Sequence, residues 1–181
     1  MKYYHCSPIG GLKILKPQKP DYFDKPALVY MTTLLPMALL YSAKNFEYTY
    51  GYTKDKKIYY EEYYPNSLEE IYKGKMAYLY ECEADEVSET KIPNEVISKK
   101  EVKVVREIFI PDAYEAILEQ EKAGTIKIIR YEELSEERLA WIKCSEAEAI
   151  REMNLIDNPS PMADYLKKHY PESWEMCLKE K

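Results

Sequence analysis

The sequence predicts an α+β fold, in which a mixed sheet with peripheral helices forms the core and the C-terminal segment is helical. The run 28–41 is the most apolar in the chain, and it changes from β-forming to helix-forming residues midway. Several later stretches alternate apolar and polar residues, as strands do, before the pattern becomes helical. We therefore predict an α/β core over 1–131 and a helical extension over 132–181, packed on it as a single domain.

The chain opens with a predicted strand over residues 1–7. Because side chains alternate across a strand, His5 is expected on one face and Cys6 on the other. A segment with three prolines follows over residues 16–26, and it predicts a surface loop leading into the apolar run.

The apolar run predicts a buried strand at about 28–32 and, after a tight break, a helix at about 34–44. Either Thr32 or Thr33 can supply the N-cap oxygen of that helix. Pro36 is tolerated there, because the first-turn N–H groups of a helix have no intrahelical partner.

The later elements are predicted from capping signals, alternation and breakers. They are a hairpin around Gly51, a helix at 67–73, strands at 76–82, 95–98, 102–110 and 125–131, and helices at 112–121, 135–153 and 162–178.

Composition narrows the classes of function. A net charge of −6 disfavours nucleic acid as a partner, since phosphate neutralisation needs clustered Lys and Arg. The four cysteines are far apart and form no CxxC pair, so we expect reduced thiols in a cytoplasmic protein. With only two histidines, no metal site is expected. The 28–43 run is too short for a membrane span, and the N-terminus lacks the apolar stretch of a signal peptide.

Familiar catalytic motifs are absent from the sequence, which holds no GxSxG, no Walker loop and no GxGxxG. A polar set on the first two predicted core strands and the following helix remains. It consists of His5, Ser7, Tyr30, Thr32 and Tyr41, together with a carboxylate from a later strand.

These residues resemble a known pattern. His5-Cys-Ser7, Val29-Tyr30-Met-Thr32, and then Ala38 and Tyr41 are similar to motifs of the ADP-ribosyltransferase superfamily, in its His-Tyr-Glu branch. That branch includes poly(ADP-ribose) polymerases and rifampin-type ADP-ribosyltransferases. Asn94-Glu95-Val-Ile also resembles the strand that carries the family's glutamate. The resemblance covers roughly residues 1–110 and implies a split sheet.

The resemblance implies a role for each residue toward NAD, which would be a substrate. His5 would bind the nicotinamide-side ribose, and Ser7 would help hold the carboxamide. Tyr30 and Tyr41 would stack on the nicotinamide ring. Glu95 would be the catalytic carboxylate that stabilises the oxocarbenium-like state, a chemistry that needs no metal.

The sequence also departs from the family pattern. Cys6 replaces the glycine after the histidine, and Ala38 replaces the usual serine on the helix. Glu81 and Glu83 form a rival ExE pair, which belongs to an arginine-led branch that this chain does not match. If neither Glu95 nor the rival pair reaches the cleft, binding could persist without catalysis.

Three functions follow as expectations. The first is an NAD-dependent mono-ADP-ribosyltransferase or NAD-consuming enzyme whose acceptor, a protein or a small molecule, the sequence does not name. The second is a non-catalytic, degenerate relative that binds a nucleotide or a protein. The third is an RNA 2′-phosphotransferase-like activity, which the acidic balance and the shortage of arginine disfavour.

Overall fold

The computed structural model describes residues 1–19, 26–43 and 45–180, and it confirms a mixed α+β fold with a helical C-terminal segment. Most of the predicted loop at 16–26 lies outside the described residues. The strands, in chain order, are β1 Tyr3–Ser7, β2 Ile14–Leu15, β3 Val29–Thr32, β4 Tyr50–Tyr52, β5 Ile58–Glu61, β6 Ala77–Glu83, β7 Ser88–Glu89, β8 Glu95–Ser98, β9 Val102–Ile110 and β10 Lys127–Ile129. The helices are α1 Leu35–Leu40, α2 Ser67–Tyr72, α3 Ala113–Lys122, α4 Glu136–Glu152, α5 Pro161–His169 and α6 Pro171–Lys179.

The chain divides into two compact units, which we call the sheet unit and the helical unit. The sheet unit comprises Met1–Asn45, Tyr52–Ile58 and Leu68–Lys127, and the helical unit comprises Phe46–Gly51, Tyr59–Ser67 and Ile128–Lys181. The sequence placed the division at residue 131, whereas the helical unit also takes in two earlier segments of the chain.

Seven strands form the main sheet in the order β2-β9-β6-β1-β3-β8-β7, and each neighbouring pair is antiparallel. Strands β8 and β9 begin and end at the predicted residues. Both are rich in β-branched residues, and Pro111 directly follows β9. The short strands β2 and β7 were not predicted, since two residues carry no readable period.

Two clusters of buried side chains pack on opposite faces of this sheet. The face that we call the tyrosine face carries Tyr3, Leu15, Val29, Met31, Tyr80, Cys82, Val96 and Val102. The other, which we call the helix face, carries Cys6, Ala77 and Leu79, and these pack with Ala38 of α1. Helix α1 therefore covers one face of the sheet next to the strand that precedes it.

Helix α1 is shorter than predicted, and its N-cap residue, Leu34, makes no capping hydrogen bond through its side chain. Asp112 caps α3 by accepting from two backbone N–H groups, and Ser135 and Ser160 each accept one at the starts of α4 and α5. The single last helix expected at 162–178 is two helices, because Pro171 lacks the N–H that would continue α5.

Strands β4, β5 and β10 form a smaller three-stranded sheet. The hairpin predicted around Gly51 is confirmed as β4–β5, and its turn is closed by the Thr53 and Lys57 backbones at 2.9 Å. Lys56 occupies the left-handed region in this turn, with φ of 62°.

The core of the helical unit is rich in aromatic residues. Buried Tyr64 and Tyr170 pack there with Ile142, Ile150 and Leu166. No helix in the described part of the chain is both long and apolar enough to cross a membrane.

All four cysteines lie in the described residues and are free thiols. Cys6, Cys82 and Cys177 are buried, whereas Cys144 is exposed on α4. Burial raises the pKa of the Cys6 and Cys82 thiols to about 12.

Candidate functional site

The register between β3 and β8 brings three of the predicted site residues to one face. Thr32 lies opposite Glu95, and Tyr30 lies opposite Ile97. Residues directly opposite in an antiparallel pair project to the same face, as do residues two apart on one strand. Tyr30, Thr32 and Glu95 therefore share the helix face, away from Val29 and Met31.

His5 projects to the other face. It lies opposite Tyr80 on β6, and the two rings stack with their centroids 6.5 Å apart. Tyr80 packs in the same cluster as Met31, the neighbour of Tyr30 in sequence. The expectation that the His5 and Tyr30 side chains line one cleft is therefore wrong, because a spacing in sequence does not fix which faces two strands share.

Ser7 follows His5 onto the tyrosine face, since it lies two residues further along β1. Its hydroxyl accepts a hydrogen bond from the Ile9 N–H at 3.1 Å, and the residue is buried. The described contacts of Ser7 are thus those of a turn at the end of β1.

A direct hydrogen bond nevertheless links His5 to the strand that bears Tyr30. Nδ1 of His5 lies 2.9 Å from the Tyr30 carbonyl oxygen. A carbonyl only accepts, so Nδ1 carries the proton of this bond. Burial lowers the pKa of His5, although its bond to the Tyr30 carbonyl acts in the opposite sense. The neutral ring then presents Nε2 as an acceptor.

Thr32 connects β3 to α1. Its hydroxyl accepts from the Leu34 N–H at 3.0 Å and donates to the Met37 sulfur at 3.2 Å. Only 3% of Thr32 is exposed. Thr32 was one of two candidates for the N-cap of α1, but its hydroxyl instead ties the strand end to the residue before the helix. Its contact with a ligand stays a prediction.

Tyr41 is the C-cap of α1, and its N–H donates to the Ala38 carbonyl oxygen at 3.1 Å. It is half-buried, so its predicted stacking role stays a prediction. Ala38 of α1 is buried in the same cluster as Cys6. The two residues that differ from the motifs that the chain resembles thus lie in one cluster.

Glu95 is half-buried, and the segment that leads into β8 holds it in place. The Thr90 hydroxyl donates to Glu95 Oε1 at 2.9 Å, and the Thr90 N–H donates to the Glu95 carbonyl at 3.2 Å. The Glu95 N–H donates to the Ile92 carbonyl at 3.1 Å. These three bonds close a tight loop that fixes both the backbone and the carboxylate of Glu95.

The residue before Glu95 is fixed as well. Asn94 has φ of 64°, a left-handed conformation that asparagine adopts more readily than most residues. Its carbonyl accepts from the Thr33 N–H at 3.0 Å, and its side chain accepts from the Thr33 hydroxyl at 3.1 Å. Tyr52 donates to the Pro93 carbonyl at 2.6 Å. Sequence reasoning missed Tyr52 and Thr90, because neither belongs to a motif that the chain resembles.

The rival carboxylate Glu81 shares the helix face, since it lies opposite Tyr4 of β1, which in turn lies opposite Thr32. Glu81 contacts Lys2 Nζ at 3.0 Å and Arg106 Nη1 at 3.9 Å. The hydrogen bond from Lys2 to Glu81 raises the pKa of Lys2. A cavity of about 190 Å³ adjoins this network, lined by Met1, Lys2, Glu81, Cys82, Glu83 and Val105. Glu81 thus forms ion pairs with two cationic side chains.

On its helix face, the sheet unit therefore combines a partly exposed aromatic ring, Tyr30 at 37% exposure, with a carboxylate fixed by a hydroxyl. No family model, no curated protein and no solved structure matches the chain.

Proposed function

We propose that the chain binds NAD on the helix face beside Tyr30 and Glu95, and that it acts as a mono-ADP-ribosyltransferase or another NAD-consuming enzyme. One observation carries the proposal. Glu95 lies opposite Thr32 and diagonally across from Tyr30, so a carboxylate and an open aromatic ring share one face. These are the two residue types that the resemblance assigns to catalysis and to stacking.

The proposed reaction requires only charge stabilisation from Glu95 and stacking from Tyr30. The bond between the ribose C1′ and the nicotinamide nitrogen breaks, and its electron pair leaves with nicotinamide. The positive charge that develops on the ribose is stabilised by the Glu95 carboxylate. An acceptor nucleophile then bonds to C1′ and loses its proton. Tyr30 offers a ring face to the flat, electron-poor nicotinamide.

The available donors and acceptors suit a ribose. The Thr90 hydroxyl donates a hydrogen bond to Oε1 of Glu95. The second oxygen of the carboxylate can accept a hydrogen bond from a ribose hydroxyl. His5 supports the site by holding the Tyr30 carbonyl. Direct contact of His5, Ser7 or Tyr41 with NAD stays a prediction of the resemblance.

A second candidate is a non-catalytic relative that binds a nucleotide or a protein. The separation of His5 and Tyr30 onto opposite faces favours it, because a cleft lacking the histidine side chain loses one ribose contact. Binding and catalysis must therefore be measured separately.

The test joins a calorimetric titration with NAD to an assay of nicotinamide release. We expect Glu95→Gln to abolish nicotinamide release while leaving NAD affinity within a few-fold, because the carboxylate acts mainly in the transition state. The matched control is Glu89→Gln, an exposed glutamate on the neighbouring strand β7. NAD binding without release in the wild type supports the second candidate. No affinity at millimolar NAD ends the enzyme hypothesis and the nucleotide-binding form of the second candidate.

A further inference from the structure

Strand β9 has one side that is only partly covered. It pairs with β6 along most of its length, whereas β2 on the other side pairs only with Val102 and Lys103. The Val104 N–H donates to the Lys13 carbonyl at 3.0 Å, and beyond that bond no described residue pairs with the outer side of β9. The segment Val105–Ile110, about 20 Å of extended chain, therefore forms an open edge, which we call the β9 edge.

The chain before β2 turns away from the β9 edge and crosses the tyrosine face. The Tyr80 hydroxyl, one strand inward on β6, donates to the Ile9 carbonyl at 2.7 Å. Gly10 lies against the Tyr78 ring, where an added Cβ atom would come to 2.5 Å from the ring carbons. The Phe109 ring lies beside Tyr78, with 5.3 Å between the ring centroids, and stays 51% exposed. The β9 edge thus carries an aromatic ring that this loop leaves half in solvent.

Backbone groups along the β9 edge are suited to pairing with another strand. Alternate residues of a strand direct their N–H and C=O groups to the same side, so about half of these groups point away from β6. The register shift between β6 and β9 lies at Val105, and the pairing is regular from Arg106 to Ile110. Proteins protect exposed edges with short strands or proline. Strand β7, at the opposite end of the sheet, has two residues, whereas β9 has nine and no proline.

Two opposite charges lie next to each other on this edge. Arg106 is opposite Glu81 of β6, and Glu107 is opposite Tyr80, so Arg106 projects to the helix face and Glu107 to the tyrosine face. The Arg106 side chain is 65% exposed. One Glu107 oxygen accepts from the Gly11 N–H, and the residue as a whole is exposed. A strand that pairs with this edge therefore meets a cation on one face and an anion on the other.

We propose that the β9 edge binds an extended segment of a partner protein, which adds an antiparallel strand to the main sheet. Antiparallel pairing continues the arrangement of the other pairs in this sheet. The complementary segment has an acidic residue opposite Arg106 and a basic residue opposite Glu107. It has apolar residues opposite Ile108 and Phe109, where the edge is apolar.

A second copy of this chain fits the edge less well. When two identical antiparallel strands pair about a two-fold axis, one residue lies opposite itself. A pairing centred on Arg106 or on Glu107 places like charges opposite each other, which is destabilising. A pairing centred on Ile108 places Arg106 opposite Ile110 and Glu107 opposite Phe109, so neither charge meets its complement. The charges therefore favour a different partner.

The test uses a synthetic peptide, acetyl-Thr-Tyr-Val-Lys-Glu-Val-Thr-amide, titrated into the full chain labelled with ¹⁵N. Its lysine comes opposite Glu107 and its glutamate opposite Arg106 when the strands are antiparallel. We expect the amide resonances of Val105–Ile110 to shift and their hydrogen exchange to slow. The same peptide with lysine and glutamate exchanged should bind about tenfold more weakly, because two favourable charge pairs become unfavourable.

Exchanging the charges on the protein should reverse this preference. The double variant Arg106→Glu with Glu107→Lys should bind the exchanged peptide about tenfold better than the first one. The matched control is Glu101→Lys with Lys103→Glu, which exchanges two exposed charges where β2 covers the strand and should keep the wild-type preference. If the first double variant fails to fold, the two peptides still test the proposal on the wild type.

Three outcomes would overturn the proposal. They are no shift at millimolar peptide, equal affinity for the two peptides, and shifts that map away from the β9 edge. Sedimentation of the chain alone tests the other occupant, since a dimer whose protected amides lie on β9 would assign the edge to a second copy. The peptide experiment needs no NAD, so its failure is distinct from a failure of the proposed function.

Discussion

Glutamate side chains have different surroundings in the sheet unit and in the helical unit. In the sheet unit, Glu95 stays half-exposed, and a threonine hydroxyl and the loop backbone hold it. In the helical unit, Glu61, Glu62 and Glu146 are buried, and each requires a partner inside the unit. A half-exposed carboxylate costs little to desolvate and stays available to a ligand, whereas a buried one contributes to stability only through its partner.

The largest loss of stability is expected where a buried glutamate of the helical unit loses its partner. Arg138 Nε donates to buried Glu61 at 3.0 Å, and its guanidinium lies 4.0 Å from the Trp141 ring centroid. Arg138→Ala leaves the Glu61 charge without this partner, and we expect a loss of about 3 kcal/mol of unfolding free energy. This is the low end for buried pairs, since Arg138 is itself partly exposed.

Circular dichroism in urea measures this loss without depending on Trp141. The matched control is Lys143→Ala on the same helix, which removes an ion pair to exposed Glu172 at 2.6 Å and should have no resolvable effect. Equal losses of unfolding free energy in the two variants would show that burial does not make the Arg138–Glu61 pair more important for stability than the Lys143–Glu172 pair.

A smaller effect is expected where the buried partner is neutral. In the sheet unit, the hydroxyl of Tyr72, which is 1% exposed, donates to the Leu40 carbonyl at 2.8 Å at the end of α1. Tyr72→Phe removes a buried hydrogen-bond donor, and we expect a loss of about 1–2 kcal/mol in thermal or urea unfolding. Tyr78→Phe, at a half-buried position on β6, is the control and should cost less. A cost for Tyr72→Phe no larger than the control's would contradict this account.

The smallest effect on stability is expected at the candidate site. Thr90→Val removes the hydroxyl that holds Glu95, and the unfolding free energy should fall by less than about 1 kcal/mol, because both groups remain open to water. If the proposed function holds, nicotinamide release should fall about tenfold, near 1.4 kcal/mol in the barrier, and Thr90→Ser should restore it. A stability loss as large as that of Tyr72→Phe would mean that the hydroxyl is mainly structural.

Much of the sheet unit could be predicted from local pattern. The β-branched residues in 95–98 and 102–110 predict β8 and β9 at their observed bounds, and Gly124, with φ of 73°, ends α3 as expected. The pairing of strands could not be read in the same way. A shift of one residue in register moves a side chain to the opposite face, and for this reason His5 and Tyr30 were wrongly expected in one cleft.

The interior of the helical unit was still less accessible to sequence reasoning. Glu47 lay in a segment with no clear period, and its partners Tyr165 and Tyr170 lie 118 and 123 residues further along the chain. Such long-range contacts depend on how several elements pack, and no local propensity encodes them. Pro171 is a readable signal for the break between α5 and α6.

The distribution of the thiols has a practical consequence for labelling. Three of the four cysteines are buried, and raised pKa values keep the Cys6 and Cys82 thiols protonated and unreactive at neutral pH. A thiol-directed dye should therefore attach to Cys144 of the native protein at a single position on α4. Without any engineered cysteine, the natural chain thus offers a defined attachment point for a fluorophore or spin label on the helix that carries Glu146.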